Sequence, residues 1–311
     1  PYIDEIIVYD KAKFLRNPLQ VWRFGRALKK RRFDLAITRS TVSMSVTSDV
    51  LTFLSGARRR IGPGVLNGKR NHTSYFYNVR AELDWRADPT RHQTLRNLDV
   101  ASILVPEPVS NELEIGLSDE EVQRGAEMIA RKQGEPGLVV GLHPGAAKLP
   151  NRWDALRFAE IANRCAEIFG AFIVITAGPD DEEPLREMTL NMPNACLVMQ
   201  NEPIRQVAAV IRNCDVYVSN DTGMMHVSAG VGTPTLSLFG PTDPLQWAPP
   251  GDGHRFILGA RNDVNTISTE KVWHVLIEML RLAKHLDQHM PDLFGTNSFH
   301  LVIADVKDNG K

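Results

Sequence analysis

Short apolar runs alternate with stretches of helical periodicity along most of the chain, the pattern of βα units around a parallel sheet. In the first part, Asp4–Tyr9 and Phe33–Thr38 read as strands, Leu19–Lys30 and Met44–Leu54 as helices, and Arg58–Gly64 as containing a turn. A helix around Arg91–Leu104 follows, and then a segment interrupted by Pro106 and Pro108. Ser118 with Glu121 three positions later predicts a capping box, opening a helix that ends near Gly134. The run Gly134-Glu135-Pro136-Gly137 is the expected hinge.

Beyond it the pattern is more regular. Strands are expected at Leu138–Leu142, Ala171–Thr176, Cys196–Met199, Asp215–Ser219 and Thr235–Phe239. Helices are expected at Trp153–Phe169, from Asp180–Glu183 onward, at Ile204–Arg212, from about Thr222, and at Thr269–His285. A length of 311 residues suits two α/β domains better than one. The expected division is 1–134, 135–285 and a tail 286–311, whose apolar run Phe299–Val306 has no assigned place. A cleft between the domains is part of this expectation.

Composition changes the picture in two ways. Hydrophobic residues make up 43% and charged residues 23% of the chain, ordinary for a globular protein, and no run approaches the ~18 uninterrupted apolar residues of a membrane span. Cys165, Cys196 and Cys214 lie far apart within predicted helices and strands, which points to core thiols rather than a disulfide framework or zinc site. The net charge of -1 hides an asymmetry: residues 1–100 carry 19 Lys and Arg against 9 Asp and Glu, and the remainder is correspondingly acidic. Such a split fits a first half that faces something anionic, whether an acidic acceptor or a membrane surface, and equally a solvated basic face. Arg58, Arg59, Arg60, Lys69 and Arg70 are the candidate contacts. The chain opens at Pro1 without Met or a secretory pattern, and the expectation is that its true N-terminus lies upstream.

The chemistry concentrates in two segments. In Asp215–Pro250 a strand ends at Asn220-Asp221 and a helix begins at Thr222-Gly223, so that Asp221 is expected to cap the helix and free backbone N–H groups form an anion site. Thr222 and His226 share a helix face, and Gly223 permits close backbone approach. An ordinary cap with a packed histidine is the plainer reading. The second segment, Leu138–Trp153, repeats the strand, loop and helix plan. Gly145, Ala146 and Ala147 open its loop, and Lys148 and Arg152 are cations for a diphosphate or simply surface charges. Trp153 reads as a packing anchor. Both loops belong at the carboxyl edge of one parallel sheet, where such folds bind ligands. The turn Phe239–Pro244 reaches the same edge, either to touch ligand or as a rigid turn.

The pair HPGA…RW (His143–Trp153) and DTGMMHVSAGVGTPTLSLFGPTDP (Asp221–Pro244) resembles the two hallmark segments of the glycosyltransferase family 9 heptosyltransferases, and Pro1–Asp10 resembles the strand after that family's first βα unit. The likeness runs over nearly all of residues 1–285. It implies a GT-B architecture, two Rossmann-like domains with parallel sheets facing a cleft. It also implies inverting transfer of heptose from ADP-heptose to the lipopolysaccharide inner core, an anionic lipid-linked saccharide; no cofactor or nucleic acid is expected, and with no acidic DxD-type motif beside these loops no metal is expected either. The implied location is the cytoplasm, with peripheral contact at the inner membrane. Asp221, Thr222, Gly223 and His226 match the family's diphosphate-sugar contacts. The family commonly has a Lys where this chain has Asn151. Its proposed general base, an Asp in a Gly-Asp loop after the first strand, has no match here and is expected upstream of Pro1. Another GT-B nucleotide-sugar enzyme, or a catalytically silent binding module, are the alternatives.

Overall fold

Capping residues set where most helices begin. The computed structural model describes residues 3–9, 17–104, 110–134, 137–192 and 196–284, and the chain divides into two compact units, Pro1–Asn111 and Glu112–Lys311. In the first unit, helix α1 (Pro18–Lys30) starts with Pro at its first position under Asn17, whose Oδ1 accepts from the Leu19 amide at 3.0 Å. Helix α2 (Val46–Leu54) starts under Ser45 and α3 (Gln93–Ala101) under His92.

Four strands complete this unit: β1 (Leu35–Ile37), β2 (Arg59–Leu66), β3 (Lys69–Arg70) and β4 (Val79–Leu83). β2 is the centre, parallel to β1 and β4 and antiparallel to β3. The β2–β3 hairpin turns on Asn67 and Gly68, with φ of 49° and 77°, the left-handed pair that a two-residue hairpin loop requires. Of the Arg58–Gly64 segment, Arg59–Gly64 is therefore strand rather than turn, with a bend at Arg58 alone. The first of its two glycines has a packing reason: a Cβ on Gly62 would lie 2.2 Å from the Tyr77 ring. Asp4–Tyr9 is not a strand either. It carries the apolar pattern, but no described strand offers it a ladder, and Ile6 and Val8 are exposed.

The second unit is a six-stranded, wholly parallel sheet of β5 (Val139–His143), β6 (Phe172–Ala177), β7 (Cys196–Gln200), β8 (Val216–Asn220), β9 (Thr235–Phe239) and β10 (Arg255–Leu258), in the order β10-β9-β8-β5-β6-β7. Counted from its own first strand this is the doubly wound Rossmann order, reversing between β5 and β8. Its helices are α4 (Asp119–Gln133), α5 (Ala155–Phe169), α6 (Glu182–Leu190), α7 (Ile204–Ile211), α8 (Gly223–Gly230), α9 (Pro244–Trp247) and α10 (Thr269–Lys284). One face is filled by Trp153, Phe158, Ile161, Trp273 and Leu276, the other by Ile129, Met199, Val210 and Tyr217.

The capping box forms, with Ser118 and Glu121 satisfying each other's backbone amides. The helix it opens belongs to the second unit, one helix earlier than the boundary drawn at Gly134. It packs on α7 so closely that a Cβ on Gly125 would sit 2.3 Å from the Ala209 carbonyl oxygen, and Arg205 pairs with Glu121. Cys165 and Cys214 are buried, Cys196 is half-buried, and all are free thiols pushed up by burial. Part of the hinge (135–136), the Pro106–Pro108 segment, and the tail with its Phe299–Val306 run lie outside the described residues.

Candidate functional site

The switch point between β5 and β8 brings the two sequence segments together. Asn220, the last residue of β8, ties them: its Oδ1 accepts from the Trp153 amide at 3.0 Å, and its Nδ2 donates to the carbonyls of Pro144 and Gly145 at 3.0 and 3.1 Å. Trp153 is fully buried and donates from Nε1 to the Ile267 carbonyl at 3.0 Å, the packing anchor that was expected.

A cavity of about 520 Å³ opens over the carboxyl ends of β5, β6, β7 and β8. Ala146 and Ala147 line it from the first loop, and Thr222, Gly223, Met224 and Val227 from the start of α8. Asp180 and Glu202 contribute carboxylates, while Met199 and Val207 form apolar wall.

The residue capping α8 is Thr222, not Asp221: the Thr222 Oγ1 accepts from the Met224 amide at 3.2 Å. Asp221 sits one position too early and turns the other way. Its carboxylate accepts from Asn151 Nδ2 at 2.9 Å and from Thr242. Burial raises its pKa, against the Thr242 hydrogen bond and the charge of Lys148. Thr242 thus brings the Phe239–Pro244 turn into the cluster, and Gly240 keeps it there, since a Cβ would lie 3.0 Å from the Pro150 carbonyl oxygen. His226 is half-buried, one turn further along α8.

The two cations of the first loop separate. Arg152 folds back, donating to the Ala146 carbonyl at 3.0 Å and pairing with Glu183 at 3.5 Å. Lys148 is exposed. In the first unit, Arg60 donates from Nε to the Phe76 carbonyl and from Nη1 to the Ala57 carbonyl, both at 2.8 Å. Arg58, Arg59, Lys69 and Arg70 are exposed.

Beneath the cavity lies a polar group that sequence reading missed. His143 donates from Nδ1 to the Thr176 carbonyl at 2.9 Å, and its Nε2 lies 3.8 Å from Asp181 Oδ2. Thr176 in turn bonds the Tyr217 hydroxyl. Burial lowers the His143 pKa, against the pull of Asp181 and the Thr176 hydrogen bond. Asp181 accepts from the Gly178 amide at 2.8 Å and fills the space where a Gly145 side chain would be, 2.1 Å from its Cβ position. In the sequence Asp181 is one acid among several at a helix start. Only its distant partners single it out.

The second unit is thus a doubly wound α/β domain, with a helix N-terminus and small-residue loops at its switch point. The profile of glycosyltransferase family 9 (heptosyltransferase) matches residues 21–274, and the chain belongs to that family. It is 31% identical over 119 residues to lipooligosaccharide heptosyltransferase 2 of Campylobacter jejuni, a match covering 36% of this chain and 36% of that protein, so that about a third of that relative's length is spanned. The crystal structure of the family 9 glycosyltransferase from Veillonella parvula superposes with a TM-score of 0.76 at 22% identity, covering 90% of this chain and 83% of that one. The E. coli ADP-heptose lps heptosyltransferase II structure superposes with 0.70 at 21% identity, covering 85% and 82%. The fold is accordingly the GT-B type expected.

Proposed function

We propose that this chain supplies the donor-binding part of a glycosyltransferase that takes heptose from ADP-heptose and passes it, with inversion, to the lipopolysaccharide inner core at the cytoplasmic face of the inner membrane. One observation carries the reading: the small-residue loop after β5 and the N-terminus of α8 open together beside one cavity at the sheet's switch point. The solved E. coli neighbour is named for ADP-heptose, which supports the choice of donor.

In this reading the diphosphate sits on the free amides of α8. The Thr222 oxygen accepts from Met224, and its O–H makes only a long 3.4 Å contact to Ser219 Oγ, which a phosphate oxygen would replace. Gly223 lets the phosphate approach the backbone, and a Cβ there would meet nothing within 4 Å. Lys148 supplies the charge, Arg152 holds the loop in shape, and His226 is a second contact from the same helix. The cavity carboxylates Asp180 and Glu202 suit ribose hydroxyls. Arg58, Arg59, Lys69 and Arg70 face the anionic acceptor.

An acceptor hydroxyl attacks the anomeric carbon from the side opposite the diphosphate. The carbon–oxygen bond to phosphate breaks with its electron pair on ADP, and the hydroxyl proton passes to a base. The donor loops stabilise the charge that develops on the departing diphosphate.

Calorimetry with ADP and ADP-heptose in EDTA tests the donor site. Binding is expected to persist without divalent metal and to weaken roughly tenfold or more in Thr222→Ala and in Lys148→Ala, the loss of one charge-assisted hydrogen bond each. Unchanged affinity in both variants removes the site, and complete loss of binding on chelation removes the metal-free reading.

A further inference from the structure

Helix α1 has two unlike faces. Val21, Phe24, Gly25 and Leu28 recur at helical spacing and turn toward the protein, Gly25 so close that a Cβ would lie 3.1 Å from Leu54. The opposite face presents Leu19, Trp22, Arg23, Arg26 and Lys30, all exposed, with Lys29 beside them. Leu19 is 54% and Trp22 57% exposed, large values for side chains of this size in a folded helix. The Arg26 guanidinium stands 5.3 Å from the Trp22 ring centroid.

Its charge is one-sided. From Asn17 to Phe33 the sequence holds six cations, Arg23, Arg26, Lys29, Lys30, Arg31 and Arg32, and no Asp or Glu. Among the described residues Arg31 forms an ion pair with Glu5, and the Lys29 stem lies against Gly56. A basic face with a tryptophan and a leucine among its cations matches what an interfacial helix needs: amphipathic indole and aliphatic groups for the headgroup region, and guanidinium and ammonium groups for lipid phosphates. A second copy is a poor occupant, because a symmetric contact sets this face against itself and like charge against like.

We propose that the outer face of α1 docks on an anionic phospholipid bilayer, lying in the interface plane with Leu19 and Trp22 inserted and Arg23, Arg26, Lys29 and Lys30 on headgroup phosphates. Nothing in this depends on the donor site, which serves as its control.

The test is flotation of the full chain with vesicles of phosphatidylcholine alone or mixed with phosphatidylglycerol, with ADP calorimetry and circular dichroism run on every variant. The wild-type chain is expected to float with the mixed vesicles, not with the neutral ones, and to be released by salt. Reversal of charge in Arg23→Glu/Arg26→Glu/Lys30→Glu is expected to lower partitioning by a hundredfold or so, and Trp22→Ala by roughly tenfold, both with unaltered ADP affinity. Equal flotation of these variants and the wild type overturns the proposal, as does absence of flotation by the wild-type chain. Sedimentation showing that the exposed Trp22 instead mediates self-association, abolished in Trp22→Ala without change in flotation, also overturns it. Loss of ADP binding with flotation intact leaves α1 as the docking element and rejects only the donor site.

Discussion

In the second unit every residue of β5, β6, β8 and β9 is buried, whereas β1 of the first unit has none buried and β4 alternates. The second sheet is covered on both faces by apolar clusters, as an all-parallel sheet requires. The first unit has a smaller cluster around Ile61, Leu83 and Trp85, and adds a polar one. Asp49, fully buried on α2, accepts from Asn71 Nδ2 at 3.0 Å and from the hydroxyls of Thr73 and Tyr77. Burial and the Asp49 carboxylate together raise the Tyr77 pKa. One unit is organised by continuous apolar strands; the other is stitched from helix to loop by a single carboxylate. The difference is a difference in how failure spreads. A cavity in a large apolar cluster is shared among many neighbours, while a lost carboxylate removes a hydrogen bond from three side chains at once.

The sharpest way to break this comparison is Asp49→Ala. Taking one carboxylate hydrogen bond from each of Asn71, Thr73 and Tyr77 is expected to destabilise the first unit by about 4 kcal/mol, read from urea unfolding, with Asp49→Asn recovering part of it. ADP affinity, which the proposed donor site assigns to the second unit, is expected to stay unchanged. If the two fall together, the units do not fail separately and the contrast is lost.

Within the second unit, Gly145 and Gly223 make the next pair. A methyl at Gly145 runs into the buried Asp181 carboxylate, while one at Gly223 meets open space. Gly145→Ala is therefore expected to cost about 1–3 kcal/mol of stability by overpacking. Gly223→Ala is expected to unfold like the wild type yet to bind ADP roughly tenfold more weakly, because the methyl enters the space given to phosphate. Equal ADP affinity in wild type and Gly223→Ala means that no ligand approaches that backbone.

The smallest expected effect is with pH. Burial lowers the pKa of His143, and burial with the neighbouring Arg255 brings that of His254 to about 4. Both rings bind protons more weakly folded than unfolded, so protons favour the unfolded chain. Stability of the second unit is fully present above the unfolded histidine value of about 6.5 and is lost as pH falls from there through the folded values. Urea midpoints taken at neutral and mildly acidic pH check this. His254→Gln is expected to shrink the difference, and an unaltered pH dependence removes His254 as a cause.

Much of the second unit was legible because its signals are local. The buried strands read as uninterrupted apolar runs, Ser118 and Glu121 announced a capping box that forms, and the two hallmark segments identified loops that do meet at one sheet edge. The Asn67-Gly68 hairpin turn was also present in the sequence, hidden by the proline and glycines just before it, which look like a turn and are a strand. Asp4–Tyr9 shows the opposite failure, an apolar pattern with no ladder to join among the described residues.

What the sequence determined by itself is the class of element at most positions and the family, since propensity, caps and motifs act over a few residues. The tertiary structure alone decided which polar groups matter. Asn220 suturing two loops across 67 residues, Asp181 filling the space above Gly145, Thr222 rather than Asp221 capping α8, Arg152 turned inward, Asn151 on Asp221, and Asp49 gathering Tyr77 from 28 residues away all depend on partners brought near by the chain's path. A buried polar side chain is defined by the hydrogen bonds that replace water, and those partners have no fixed spacing in sequence.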